Sequence, residues 1–93
     1  MVINLQDIIG VRCTVTGRGM FRDETVVSIQ GERFIIYEDN LDVMVDGDDG
    51  YSFVRAVPGG VRRSEDGGYV ALISTCDEVR AICVPEDDVV VGK

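Results

Sequence analysis

Between Glu38 and Asp49 the chain carries Glu38, Asp39, Asp42, Asp46, Asp48 and Asp49 and not one Lys or Arg. Carboxylates spaced along a strand and its flanking turns can imitate a row of phosphates. They would then occupy the Arg- and Lys-lined groove of a protein that normally holds nucleic acid. Read this way, Asp39, Asp42, Asp46, Asp48 and Asp49 form the contact set for a protein partner with a basic surface. The competing reading is that Asp and Asn populate turns for backbone reasons and that the charge keeps a small protein soluble. A calcium loop does not fit. Asp46-x-Asp48 opens as such a loop does, but its fifth position is Gly50 and its twelfth is Val57 where a bidentate Glu is needed. No metal is expected.

The second group is Thr16-Gly17-Arg18-Gly19-Met20-Phe21-Arg22. Glycine lets a backbone approach a ligand closely, and Arg18 and Arg22 with Phe21 could clamp and stack a nucleotide or small anion. The segment lacks the Lys-Ser/Thr of a phosphate-binding P-loop and leads into no helix. The plainer expectation is a barrel loop with Met20 and Phe21 tucked over the core. Arg55, Arg62 and Arg63 surround a Pro-Gly-Gly turn and read as a solvated counter-face to the acids.

Catalysis finds little to work with. The chain has no histidine, so the commonest general base and the common Ser and Cys triads are missing. Cys13 and Cys83 alternate with apolar neighbours and are expected to be buried. Cys76 stands beside Asp77 and Glu78, whose charges would raise its pKa and blunt it as a nucleophile. The carboxylates sit in turns with no apolar pocket nearby in sequence. No enzyme activity and no cofactor are expected.

Three cysteines in an odd set without C-x-x-C spacing argue against a disulfide framework and a structural zinc site. They read as free thiols in a reducing compartment. The first ten residues lack a basic start and a long apolar stretch, and the sequence has no run of about 18 apolar residues. The expectation is a cytoplasmic protein. The formal net charge is −8, with ten acids against four Arg in residues 1–50. Such a field repels nucleic acid and anionic membranes, so direct binding to either is not expected.

At 93 residues the chain is one domain's worth, and its 45% hydrophobic content supports one modest core. Val and Ile dominate the apolar residues, against three Leu and three Ala, and eleven glycines add turn chemistry. β-Branched side chains suit a pleated surface, so an all-β domain over 1–93 is expected.

Asn4–Gly10 reads as one helical turn, with Asn4 as cap and Gly10 as stop. Val11–Thr16 alternates with period two, and residues 17–24 form a long loop. Thr25–Gln30 and Arg33–Glu38 flank Gly31-Glu32, which suits a type II′ hairpin. Phe34-Ile35-Ile36-Tyr37 is apolar on both faces and reads as a central strand. Strands over Leu41–Val45 and Tyr51–Val57 flank the Asp46–Gly50 turn. Pro58-Gly59-Gly60 is expected to end the second of these before a short Val61–Ser64 strand. Tyr69–Thr75 and Val79–Val84 make a hairpin around Asp77-Glu78, with Ile73 opposite Ile82 and Leu72 opposite Cys83.

Ala81-Ile82-Cys83-Val84-Pro85 leads through Glu86-Asp87-Asp88 into Val89-Val90-Val91. A strand, a Pro-initiated tight turn and a short closing strand resemble the end of Src-homology-3-type barrels, which also carry a long loop after their first strand, as residues 17–24 do here. The aromatic peptide-binding residues of that family have no counterparts here. The resemblance implies a small, strongly bent antiparallel sheet or partly open barrel.

Two functional expectations follow. The first is a small acidic, non-catalytic binding module, an inhibitor or adaptor of the kind phages and plasmids encode, acting through the acidic run. The second is a β-barrel that binds or sequesters a small molecule or nucleotide through Arg18, Phe21 and Arg22. A homo-oligomer is compatible with either.

Overall fold

Asn4 accepts a hydrogen bond from the Gln6 N–H at 3.4 Å and starts a single 3-10 turn, Leu5–Asp7. The computed structural model describes residues 3–92, and of Asp46 the backbone alone. The turn stops earlier than Gly10, because Ile8 is already extended and begins the first strand.

Eight strands follow among these residues, and every one carries some of the β-branched residues that favour a pleat. They are β1 (Ile8–Arg18), β2 (Glu24–Ile29), β3 (Glu32–Tyr37), β4 (Leu41–Asp46), β5 (Asp49–Arg63), β6 (Tyr69–Ser74), β7 (Val79–Val84) and β8 (Val89–Val91). All pairings are antiparallel, in the order β3-β2-β1-β5-β6-β7, with β4 on β5 and β8 on β1. The protein is thus all-β, one strongly curled antiparallel sheet forming a half-barrel, with a short 3-10 turn at its start. No helix among the described residues is long and apolar enough to cross a membrane.

The curl has local causes. β1 bulges between Ile8 and Gly10 and again between Val15 and Gly17. β5 does not end at Pro58 as expected. It runs through Pro58-Gly59-Gly60 as an extended bulge, advancing from Ala56 to Val61 while β6 steps only from Ile73 to Ala71. Pro58 has no N–H to lose from a ladder, and Gly59 takes φ +73°, so the segment bends without leaving the sheet. This bend carries β5 from its pairing with β1 and β4 to its pairing with β6.

Val11, Val27, Ile29, Phe34, Ile36, Val54, Ala71 and Ile73 fill the concave side with little or no exposure. Gly10 belongs to the opposite face, where a Cβ would meet the Val54 carbonyl oxygen at 2.4 Å and the Phe53 ring at 2.6 Å. Glycine is therefore what lets Phe53 lie buried across β1.

Both hairpin registers differ from expectation. Ile29 pairs with Glu32, so the first turn is Gln30-Gly31, both at positive φ (53° and 80°), a type I′ turn. In the last hairpin Ile73 lies opposite Arg80 and Ile82 opposite Ala71. The loop there is Thr75–Glu78, held by Thr75 Oγ1, which accepts from the Asp77 and Glu78 N–H groups. Each shift moves partners by two residues, so the apolar set stays on the inner face.

β3 is an edge strand, not a central one. Phe34 and Ile36 are buried, while Ile35 and Tyr37 point outward. Its edge is covered nonetheless. The Cys76 N–H donates to the Ile35 carbonyl at 2.9 Å, and Arg80 bridges to Glu32 at 3.0 Å, so the far end of the sheet path curls back to β3.

Candidate partner-binding surface

The acidic run follows the β4–β5 hairpin, and the fold divides it into three parts. Asp39 is exposed in the 3-10 turn Glu38–Asn40 that precedes β4. Asp48 and Asp49 are exposed at the opposite tip, where Gly47 at φ +64° and Asp48 connect the Asp46–Asp49 pair. Six strand residues separate the two ends, roughly 20 Å at the usual rise per residue. Asp46 closes β4, and its side chain lies outside the described residues.

Asp42, alone of these acids in having an ion pair among the described residues, is already engaged within the fold. Arg55, diagonally across the β4–β5 pair, donates from Nη2 to Asp42 Oδ2 at 2.8 Å and from Nη1 to the Asp39 carbonyl at 3.1 Å. Oδ1 of Asp42 accepts the Val43 N–H at 2.8 Å. The Arg55 hydrogen bond first, then the Val43 N–H, hold this carboxyl below the usual carboxylate range. The run is free of cations along the sequence, but the sheet supplies one from β5. Arg55 is accordingly no counter-face residue.

The residues that sequence reasoning missed are the valines between the acids. Val43 is 58% exposed and Val45 71% exposed. Both share the face of Leu41, which packs on the core, and the row Val43–Ser52–Cys13 continues across β5 to β1. The period-two pattern Leu41-Asp42-Val43-Met44-Val45-Asp46 carried that signal. What it lacked was the fact that the hairpin extends past the core, leaving its apolar face uncovered. On the opposite face Arg12 stacks over Tyr51, with the guanidinium carbon 4.3 Å from the ring centroid.

The Gly-Arg loop is differently placed. Arg18 ends β1 opposite Thr25, and the connection shortens to Gly19–Asp23. Glu24 organises it: its carbonyl accepts the Gly19 N–H, its N–H donates to the Phe21 carbonyl, and its carboxylate accepts the Phe21 N–H. Met20 (88% exposed) and Phe21 (64% exposed) are not tucked over the core. Arg18 and Arg22 are exposed, with no ion pair among the described residues. The Asp23 carbonyl accepts the Glu38 N–H at 2.9 Å, which sets this loop beside the first acids of the run. A cleft of about 530 Å³ lies between the first turn and the β5 bulge, lined by Leu5, Ile9, Pro58 and Val61 among others.

The thiols separate by environment. Burial pushes Cys13 up to about 11. Cys76 is raised by burial and then by Glu24, Asp77 and Asp23, where the sequence pointed to Asp77 and Glu78. Cys83 faces outward, contrary to expectation, because its neighbours Ile82 and Val84 take the inner face. Among the described residues no cluster of three His, Cys, Asp or Glu side chains is placed to hold a metal ion.

No protein-family model, curated protein or solved structure matches this chain.

Proposed function

We propose that this protein is a small acidic, non-catalytic binding module that engages a basic surface on a protein partner, as an inhibitor or adaptor. The observation that carries the reading is the β4–β5 hairpin. It stands out from the core with acids at both ends, exposed valines between them, and the Arg55 guanidinium at its root already paired with Asp42. Carboxylates at the two ends steer a basic partner, and the uncovered valines supply the apolar contact that charge alone lacks. The reading places it in a reducing compartment, in keeping with three free thiols, and among small acidic inhibitors of the kind phages encode.

The competing reading is a small anion or nucleotide held by Arg18, Phe21 and Arg22, favoured by the exposure of all three. Against it stand Asp23, Glu24 and Glu38, which border the same loop. The two separate in one experiment, a pull-down from host lysate with wild type, with Asp39, Asp48 and Asp49 all changed to Lys, and with Arg18 and Arg22 both changed to Glu. The acidic variant should lose a basic partner that wild type releases as salt rises and that DNA or RNA displaces. The Arg variant should keep it. The reverse pattern moves the site to the Gly-Arg loop and overturns the proposal.

A further inference from the structure

β4 pairs with β5 on one side and, among the described residues, with no strand on the other. The Leu41 N–H donates to the Glu38 carbonyl, and the Val43 N–H donates to Asp42 Oδ1 at 2.8 Å. Residues 41 and 43, and by strand alternation 45, therefore turn their backbone groups away from β5. Two of the three donors on that edge are already occupied. What the edge offers outward is chiefly carbonyl oxygen, with the carboxylates of Asp39, Asp48 and Asp49 at its two ends. It is an edge short of donors.

Resting on the proposed engagement of a basic partner, we infer that the β4 edge takes up an extended, Lys- or Arg-bearing segment of that partner as an added strand. The segment donates its backbone N–H groups to the free carbonyls of β4. Its apolar side chains, one residue in two, cover Val43 and Val45, and its cations reach the acids at the ends. This is strand addition, in which main-chain bonds give affinity and alternate side chains give selectivity. A second copy of this chain fits the edge poorly. Antiparallel self-pairing would set carbonyl-rich edge against carbonyl-rich edge and acids against acids, on molecules of net charge −8 each. The β3 edge is no equivalent site, since the Cys76 N–H and Arg80 already cover it.

Fluorescence anisotropy with three labelled heptapeptides of equal charge tests this: alternating Lys-Val, the same peptide N-methylated at every amide, and alternating Lys-Gly. The Lys-Val peptide should bind, and the N-methylated one should bind at least about tenfold more weakly, the loss of one or two net hydrogen bonds. The Lys-Gly peptide should also bind more weakly, for want of cover over the valines. Changing Val43 and Val45 together to Lys should abolish Lys-Val binding, and both positions are exposed enough for the variant to fold, as an unchanged Tm would show. Equal binding of all three peptides overturns the inference and leaves a purely electrostatic contact. If no peptide binds while the Asp39/Asp48/Asp49-dependent partner is still recovered from lysate, strand addition is wrong and the basic-surface reading stands. If neither occurs, both fall. Sedimentation that shows a dimer, dissociated by the valine variant, assigns the edge to a second copy and overturns the inference as well.

Discussion

Arg55 reaches diagonally across two antiparallel strands to place its guanidinium 2.8 Å from the Asp42 carboxylate, at the root of the β4–β5 hairpin. The same guanidinium holds the Asp39 carbonyl, so one side chain from β5 ties down the 3-10 turn and the first residues of β4 together. The hairpin that carries the acids is thereby anchored at one end and open at the other.

This pairing makes stability depend on pH in a defined sense. The Asp42 carboxyl lies below its ordinary value of 3.8 in the folded protein, so it contributes stability above that value and loses the contribution as pH falls through the folded-state pKa. Urea denaturation of wild type and Asp42→Ala should show a gap at neutral pH that narrows at about pH 2. An equal gap at both pH values means that the ion pair contributes nothing.

The outward turn of Ile35 and the inward turn of Ile36 predict opposite sensitivities on one strand. Ile36 is fully buried, and Ile36→Ala should cost about 2–5 kcal/mol. Ile35 is 42% exposed, and Ile35→Ala should cost about 1 kcal/mol or less. Chemical denaturation of the two variants measures the difference directly. Equal costs would contradict the outward position of Ile35.

The three thiols should react in the order Cys83, Cys76, Cys13 when the folded protein is alkylated at about pH 8 and followed by mass spectrometry. Cys13 combines burial with a pKa pushed to about 11, so it should stay unmodified until the protein unfolds. Denatured but unreduced protein should titrate all three. Early labelling of Cys13, or a missing pair of thiols, would overturn the assignment.

How far the sequence carried these conclusions can be seen strand by strand. The Val- and Ile-rich alternation was enough for the all-β class. Asn4 was enough for the opening turn, and Pro85 for the tight turn before the closing strand. Period two alone puts Phe34 with Ile36 on one face and Ala71 with Ile73 on another, a grouping that a two-residue shift of register leaves intact. Which face turns inward it does not say, since Phe34-Ile35-Ile36-Tyr37 is apolar on both. Register itself was not legible. Gln30 adopts a left-handed conformation that its residue type does not announce, and Thr75 closes a four-residue loop by a side-chain bond to backbone two and three residues on.

The candidate surface divides the same way. Residue types alone determined that the acids of residues 38–49 sit in turns and along one strand, because Asp, Asn and Gly take up turn geometry locally. Tertiary structure decided which of them remain available. Arg55 lies thirteen residues beyond Asp42, and only antiparallel pairing brings the two together. It decided the valines too. An alternating strand presents one apolar face wherever it lies, but whether that face is buried depends on how far the other strands extend alongside. Here β4 and β5 run past them, so Val43 and Val45 meet solvent while Leu41, on the same face, packs on the core. Local chemistry sets which way a side chain points; the curl of the sheet decides what, if anything, is there to meet it.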